Sequence, residues 1–113
     1  MTERETTLLS ATPHQLFIGG EWIDAASGGT FPVRDPATGR IVREVADATA
    51  DDAIRALDAA VAAQEPWAAT APPPPSHIHR AAREHVQHHS ADMARLKTVE
   101  MGKPKAQARG EVP

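Results

Sequence analysis

The sequence predicts an α+β chain, with three or four short strands before Asp47, three helices after it, and the start of another helix after Pro104. Three observations carry this prediction. Between Leu16 and Val45, short apolar or alternating runs are separated by turns rich in glycine and proline. From Thr49 onward, apolar residues recur at helical spacing behind a capping signal. The two kinds of pattern are segregated along the chain instead of alternating, which is the mark of α+β order.

Taken in order, Met1 to Gln15 has mixed charge, three threonines before Leu8 and Pro13 ahead of the first apolar run, and is expected to be a loosely held, flexible tail. Leu16-Phe17-Ile18, the turn Gly19-Gly20 and the alternating run Glu21-Trp22-Ile23-Asp24 predict a β-hairpin. After the small-residue loop Ala25 to Gly29, Thr30-Phe31-Pro32-Val33 alternates again, and Pro32 confines it to an edge strand. Asp35-Pro36-Ala37-Thr38-Gly39 is a turn, with Pro36 setting its first corner and Gly39 ending it. Arg40 to Val45 supplies the next strand.

The clearest helix start is Thr49, whose hydroxyl is placed to accept from the amide of Asp52 while the Asp52 carboxylate reaches back. Ile54, Leu57 and Val61 then form a narrow stripe that faces a partner, with Asp51, Arg55 and Asp58 toward water. Pro66 is expected to end this helix and Trp67 to plug into the groove beside it. Pro72 to Pro75 reads as a stiff polyproline connector whose last members open the next helix, from about Ser76 to His89. That helix has a poor apolar face: Ile78, Ala82 and Val86 share it with His85 and His89. A third helix is expected to start at Ser90 as N-cap and to present Met93, Leu96 and Val99 before Gly102. Gly102 closes it in the left-handed conformation, Lys103 places a cation near the dipole's negative end, and Pro104 fits the first turn of a further helix.

Composition excludes several classes. The 113 residues hold no cysteine, so neither a disulfide nor a thiolate nucleophile is available. No apolar run approaches the roughly 20 residues that span a bilayer, and the first fifteen residues lack a signal peptide's apolar centre; the expectation is a soluble, cytoplasmic chain with no membrane partner. A net charge of −3, with cations scattered among acids and no aromatic platform, excludes a nucleic-acid partner. Gly102-Lys103 is not a phosphate loop, because Pro104 follows where Ser or Thr is needed and Lys97 stands where Gly is needed. Five of six histidines fall between His77 and His89, and His85 and His89 have the four-residue spacing of a zinc pair. Glu84 precedes the first of them where the zincin pattern has a glutamate following, and no third ligand is placed, so a solvated helix is expected and no metal site.

The stretch Glu100-Met101-Gly102-Lys103-Pro104, followed by Ala106, Ala108, Arg109, Gly110, Glu111 and Val112, resembles the N-terminal part of aldehyde dehydrogenases, most closely the succinate-semialdehyde branch. Four further matches occur in the same order and spacing: Leu16 to Trp22, Asp35 to Gly39, Val45 to Ala48, and Pro66-Trp67. The resemblance covers Leu16 to Val112 and implies that residues 16–113 are the N-terminal, incomplete part of a longer α/β enzyme, with the rest of that fold as partner. In that family a cysteine attacks the aldehyde, hydride passes to NAD or NADP, a glutamate activates the water that releases the acid, and members are homo-oligomers. None of those motifs falls on this chain, so no residue is assigned a catalytic, cofactor-binding or metal role, and the chain alone is expected to be inactive. Some members also hold a monovalent cation near the positions matching Val33, Arg34 and Glu100, a site that needs later segments too. Arg109 and Glu111 are assigned to packing and surface pairing.

The chain departs from the family pattern in the middle helix. Pro73, Pro74 and Pro75 stand where a charged stretch is usual, and His79, Arg83, His85, Gln87 and Lys97 where apolar residues are usual. Either this helix is more exposed than in the family, or the chain is a decayed or truncated copy. The functional alternative is a stand-alone helical interaction module using the Ile54 stripe; the nucleotide sequence downstream of the Pro113 codon discriminates the two. In the isolated chain that stripe and Trp22 are expected to be uncovered.

Overall fold

The computed structural model describes residues 1–70 and 74–112. Its order is α1 (Glu3–Ala11), β1 (Leu16–Ile18), β2 (Glu21–Ile23), β3 (Thr30–Arg34), β4 (Ile41–Ala46), α2 (Ala50–Ala68), α3 (Pro74–His88), α4 (Ser90–Met101) and α5 (Lys105–Gly110). The predicted strand region and helical region are both present, and the strands form two separate antiparallel pairs, β1 with β2 and β3 with β4.

Gly19 and Gly20 both adopt positive φ, 63° and 85°, which lets a two-residue turn follow the right-handed twist of the strands it joins. The turn fixes the register: Leu16 faces Ile23, Phe17 faces Trp22, and Ile18 faces Glu21. In the second pair Thr30 lies opposite Ala46 and Pro32 opposite Glu44, with an irregularity between Val33 and Arg34. The intervening turn is held by Asp35, whose carboxylate accepts from the Ala37 amide at 2.8 Å and the Thr38 hydroxyl at 3.1 Å. The two pairs are tied to their flanks by the Ala46 amide on the His14 carbonyl and the Asp47 amide on the Gly29 carbonyl, both 2.9 Å.

Five expectations are corrected. Met1 to Gln15 is not a loose tail throughout, because Thr2 and Glu5 form a capping box that starts α1, and Leu9 of that helix is buried. Arg43 then donates to the Leu9 and Thr12 carbonyls, tying the end of the helix to β4. Pro66 does not end α2, which runs on to Ala68. A proline this close to the C-terminus forfeits one intrahelical bond, and the Thr70 hydroxyl, donating to the Pro66 carbonyl at 2.9 Å, helps close the last turn. Trp67 therefore sits on the helix instead of in a groove beside it, 43% exposed, with its ring edge-on to His79 at 5.9 Å.

The remaining corrections concern caps. Ser90 is the first residue of α4, and the N-cap position belongs to His89, which makes no side-chain cap bond. Pro104 takes the N-cap position of α5, in extended conformation, one residue before the expected first turn. The expected polyproline connector lies partly at residues 71–73, outside the described residues; Pro74 opens α3. Gly102 closes α4 at φ 69°, as the sequence predicts.

The body measures 48 × 35 × 20 Å, a flattened shape with little interior. Among the described residues the buried apolar ones are Leu9, Ala25, Ala94 and Ala108, and they gather chiefly where α1, α4 and α5 meet. Most large apolar side chains remain outside that core.

Candidate functional site

The candidate site is a face, and it is organised by the N-terminus of α2. Thr49 and Asp52 form the expected capping box, with the Asp52 carboxylate accepting from the Thr49 amide at 2.9 Å and its hydroxyl at 3.0 Å. The same carboxylate reaches across to the loop after β2 and accepts from the Ala26 amide, 3.1 Å to one oxygen and 3.2 Å to the other. Asp52 is 1% exposed, and its pKa is lowered chiefly by the Thr49 amide and next by the Ala26 amide; Arg55, 3.6 Å away, contributes least. A buried carboxylate so satisfied fixes the helix to the hairpin loop.

On this frame, Ile54, Leu57 and Val61 project outward, 56%, 62% and 60% exposed. The partner that the sequence assigned to this stripe is not found among the described residues. The side of α2 toward the hairpin is lined by Ala56, Ala59 and Ala60, which leave a groove of about 660 Å³ against Ile18, Gly19 and Gly20. Phe17 and Trp22 pair across the two strands, ring centroids 4.9 Å apart, and both stay more than half exposed. Three scattered apolar residues would be ordinary on any surface, but three in one helical stripe, on the side of α2 away from the hairpin, make a surface shaped for packing.

The second feature is the corner between α4 and α5. Lys97, which departs from the family pattern, has a partner here: its Nζ lies 2.8 Å from Glu111, and Lys103 donates to the other carboxylate oxygen. The two hydrogen bonds, that from Lys103 first, lower the Glu111 pKa to about 2. Glu111 is thus a pairing residue, as the sequence assigned it. Val33 and Arg34 lie at the irregularity of β3, two residues before Pro36, and Pro36 rests against Gly102, two residues after Glu100.

Two serine hydroxyls are engaged within their own turns. The Ser10 hydroxyl donates to the Thr6 carbonyl, and the Ser27 hydroxyl accepts from the Gly29 amide. His85 and His89 stack with ring centroids 4.3 Å apart, and His89 Nδ1 contacts the His85 carbonyl at 2.9 Å. Among the described residues, no three His, Asp or Glu side chains converge as a metal site would require. Nor is any described helix long and apolar enough to cross a membrane.

The chain thus presents a hydrogen-bonded frame with an apolar face uncovered among the described residues. The aldehyde dehydrogenase family profile matches residues 22–113, and the chain belongs to that family. Among curated relatives it is 40% identical to 3,6-anhydro-alpha-L-galactose dehydrogenase of Streptomyces coelicolor, over 92% of this chain and 21% of that protein. It is 39% identical to glutarate-semialdehyde dehydrogenase of Pseudomonas putida, over 87% of this chain and 20% of the relative. Among solved structures, betaine aldehyde dehydrogenase of Staphylococcus aureus in complex with NAD+ superposes with a TM-score of 0.92 at 26% identity, covering 96% of this chain and 22% of that one. Succinate-semialdehyde dehydrogenase of Burkholderia pseudomallei superposes with a TM-score of 0.84 at 41% identity, covering 88% and 20%. The chain therefore spans about a fifth of the length of the relatives it matches, and it corresponds to the N-terminal part of their fold.

Proposed function

We propose that this chain is the framework segment of an NAD(P)-dependent semialdehyde dehydrogenase of the cytoplasm, and that it carries no dehydrogenase activity alone. The observation that supports this reading is the uncovered stripe of Ile54, Leu57 and Val61 on a helix whose N-terminus is locked by Asp52. Covering what remains exposed of each such side chain contributes on the order of 1–2 kcal/mol, so the face is a docking surface for the remainder of the fold. The named glutarate- and succinate-semialdehyde relatives support a semialdehyde as substrate, to be oxidised to the acid.

In that assembly the nicotinamide cofactor supplies the hydride acceptor. The 113 residues supply no thiol for covalent attack on the aldehyde, and their contribution is position: the hairpin and α2 as one packed unit, and the α4–α5 corner held by Glu111. Assembly into homo-oligomers belongs to the same reading. The test is an assay of the purified 113-residue chain with succinate semialdehyde and either NAD+ or NADP+. No cofactor reduction above the blank is expected; reduction that persists in independently purified batches contradicts the proposal.

A further inference from the structure

Where α1, α4 and α5 meet, a small cavity of about 90 Å³ is lined by four cationic side chains, Arg4, Arg95, Lys105 and Arg109, with Ala91 and Ala94 completing its wall. On a chain of net charge −3 this is a concentration of one sign. Among the described residues, Arg4 is paired with Asp92 at 3.5 Å, while no ion pair reaches Arg95, Lys105 or Arg109. Glu5 is the other acid close by; its carboxylate accepts from the Thr2 amide at 2.8 Å and is also drawn by the charge of Lys105, which leaves Arg95 and Arg109 as the cavity's least compensated cations. Ala94 in its wall and Ala108 on α5 are 2% and 0% exposed, so the helices are already packed against each other beneath the cations.

We infer that this cavity is a binding site for a tetrahedral phosphate group, either free inorganic phosphate or the phosphate of a monoester. Like charges gathered around one void repel one another, and an anion seated among them turns that repulsion into attraction. Three of the four cations are arginines, whose planar donor forks match phosphate oxygens in pairs. The volume excludes a larger ligand from the cavity itself, so a monoester places its phosphate inside and its organic part outside. The site draws only on α1, α4 and α5 of this chain and is independent of the proposed dehydrogenase role.

The test is a titration of the 15N-labelled chain with inorganic phosphate and, separately, glycerol 1-phosphate, each against sodium chloride at matched ionic strength. Saturable shifts at the Ala94 and Ala108 amides and the arginine Nε groups are expected with phosphate and not with chloride. Saturation by glycerol 1-phosphate as well identifies a monoester site; saturation by inorganic phosphate alone identifies a free-ion site, and both support the inference. The double variant Arg95→Gln/Arg109→Gln is expected to bind at least about tenfold more weakly, the equivalent of losing one charge-assisted contact. The pair Arg40→Gln/Arg80→Gln, equal in charge change and outside the cavity lining, is expected to bind as the parent does. If circular dichroism shows the first variant unfolded, Arg95→Lys/Arg109→Lys keeps the charge, removes the forks, and is expected to weaken binding by less than the loss of charge would, but measurably. Shifts that follow ionic strength alone, or equal affinity in a folded cavity variant, overturn the inference.

Discussion

Pro36 and Gly102 touch so closely that a Cβ built on Gly102 lies 2.8 Å from Pro36 Cγ. The turn between β3 and β4 therefore rests on the stop of α4, and glycine is required at 102 twice over, by its φ of 69° and by its neighbour. Gly102→Ala is expected to destabilise the chain by more than the roughly 1–2 kcal/mol of the left-handed conformation alone. In urea denaturation, adding Pro36→Ala should recover the steric part and leave the conformational part. Full recovery, or none, contradicts this division.

Asp52 joins α2 to the loop after β2. Thr49→Ala removes one cap and is expected to cost about 1 kcal/mol. Asp52→Ala removes that cap and also takes the acceptor from the part-buried Ala26 and Thr49 amides, so its midpoint in urea is expected to fall further. The sign with pH follows from the lowered pKa of Asp52. Its contribution is present above the unfolded carboxylate value near 3.8 and is lost as pH falls through the lower folded value. A parent chain and an Asp52→Asn variant with parallel stability profiles below pH 4 contradict it.

Glu111, held by Lys103 and Lys97, titrates at about 2 in the folded chain against 4.5 ordinarily. The folded value is the depressed one, so the stabilisation of the α4–α5 corner is present above 4.5 and is lost as pH falls from there toward 2. All three side chains are partly exposed, so added salt should weaken the effect. Following the Glu111 side-chain carboxyl by NMR checks this. Lys103→Met should raise its midpoint; a midpoint near 4.5 in the parent chain refutes the pairing.

Arg43 caps the end of α1 from β4, by hydrogen bonds to the Leu9 and Thr12 carbonyls. Arg43→Gln is expected to cost about 1–2 kcal/mol and to release α1 selectively. Amide exchange should accelerate between Thr6 and Thr12 while α2 stays protected. Uniform acceleration across the chain contradicts a local role.

Elements set by neighbouring residues were legible in the sequence. The Gly19-Gly20 turn, the Thr49 capping box and the Gly102 stop each depend on signals within a few positions. The capping box at Thr2 and Glu5 is a signal of the same kind, and it was outweighed by the expectation that chain ends are loose. Pro66 was overread, because a helix loses little to a proline in its last turn. The Asp52 link to Ala26 and the Lys97 link to Glu111 span 26 and 14 positions, and no local pattern announces them. By sequence alone Lys97 stands at an apolar position, and its partner Glu111 lies 14 residues on. The outward direction of the Ile54 stripe was legible only through the family resemblance, since periodicity gives a face and not what covers it.

The most direct test of the framework role is complementation. Succinate-semialdehyde dehydrogenase of Burkholderia pseudomallei, trimmed of the segment this chain matches, would be co-expressed with the 113-residue chain and with its Leu57→Asp variant, and NAD+ and NADP+ reduction measured on the purified products. The account predicts a complex that oxidises succinate semialdehyde with the parent chain, and at least about a tenfold loss of activity with Leu57→Asp, from a charge buried in the docking face. Absence of a complex with the parent chain, or equal activity with Leu57→Asp, would contradict it.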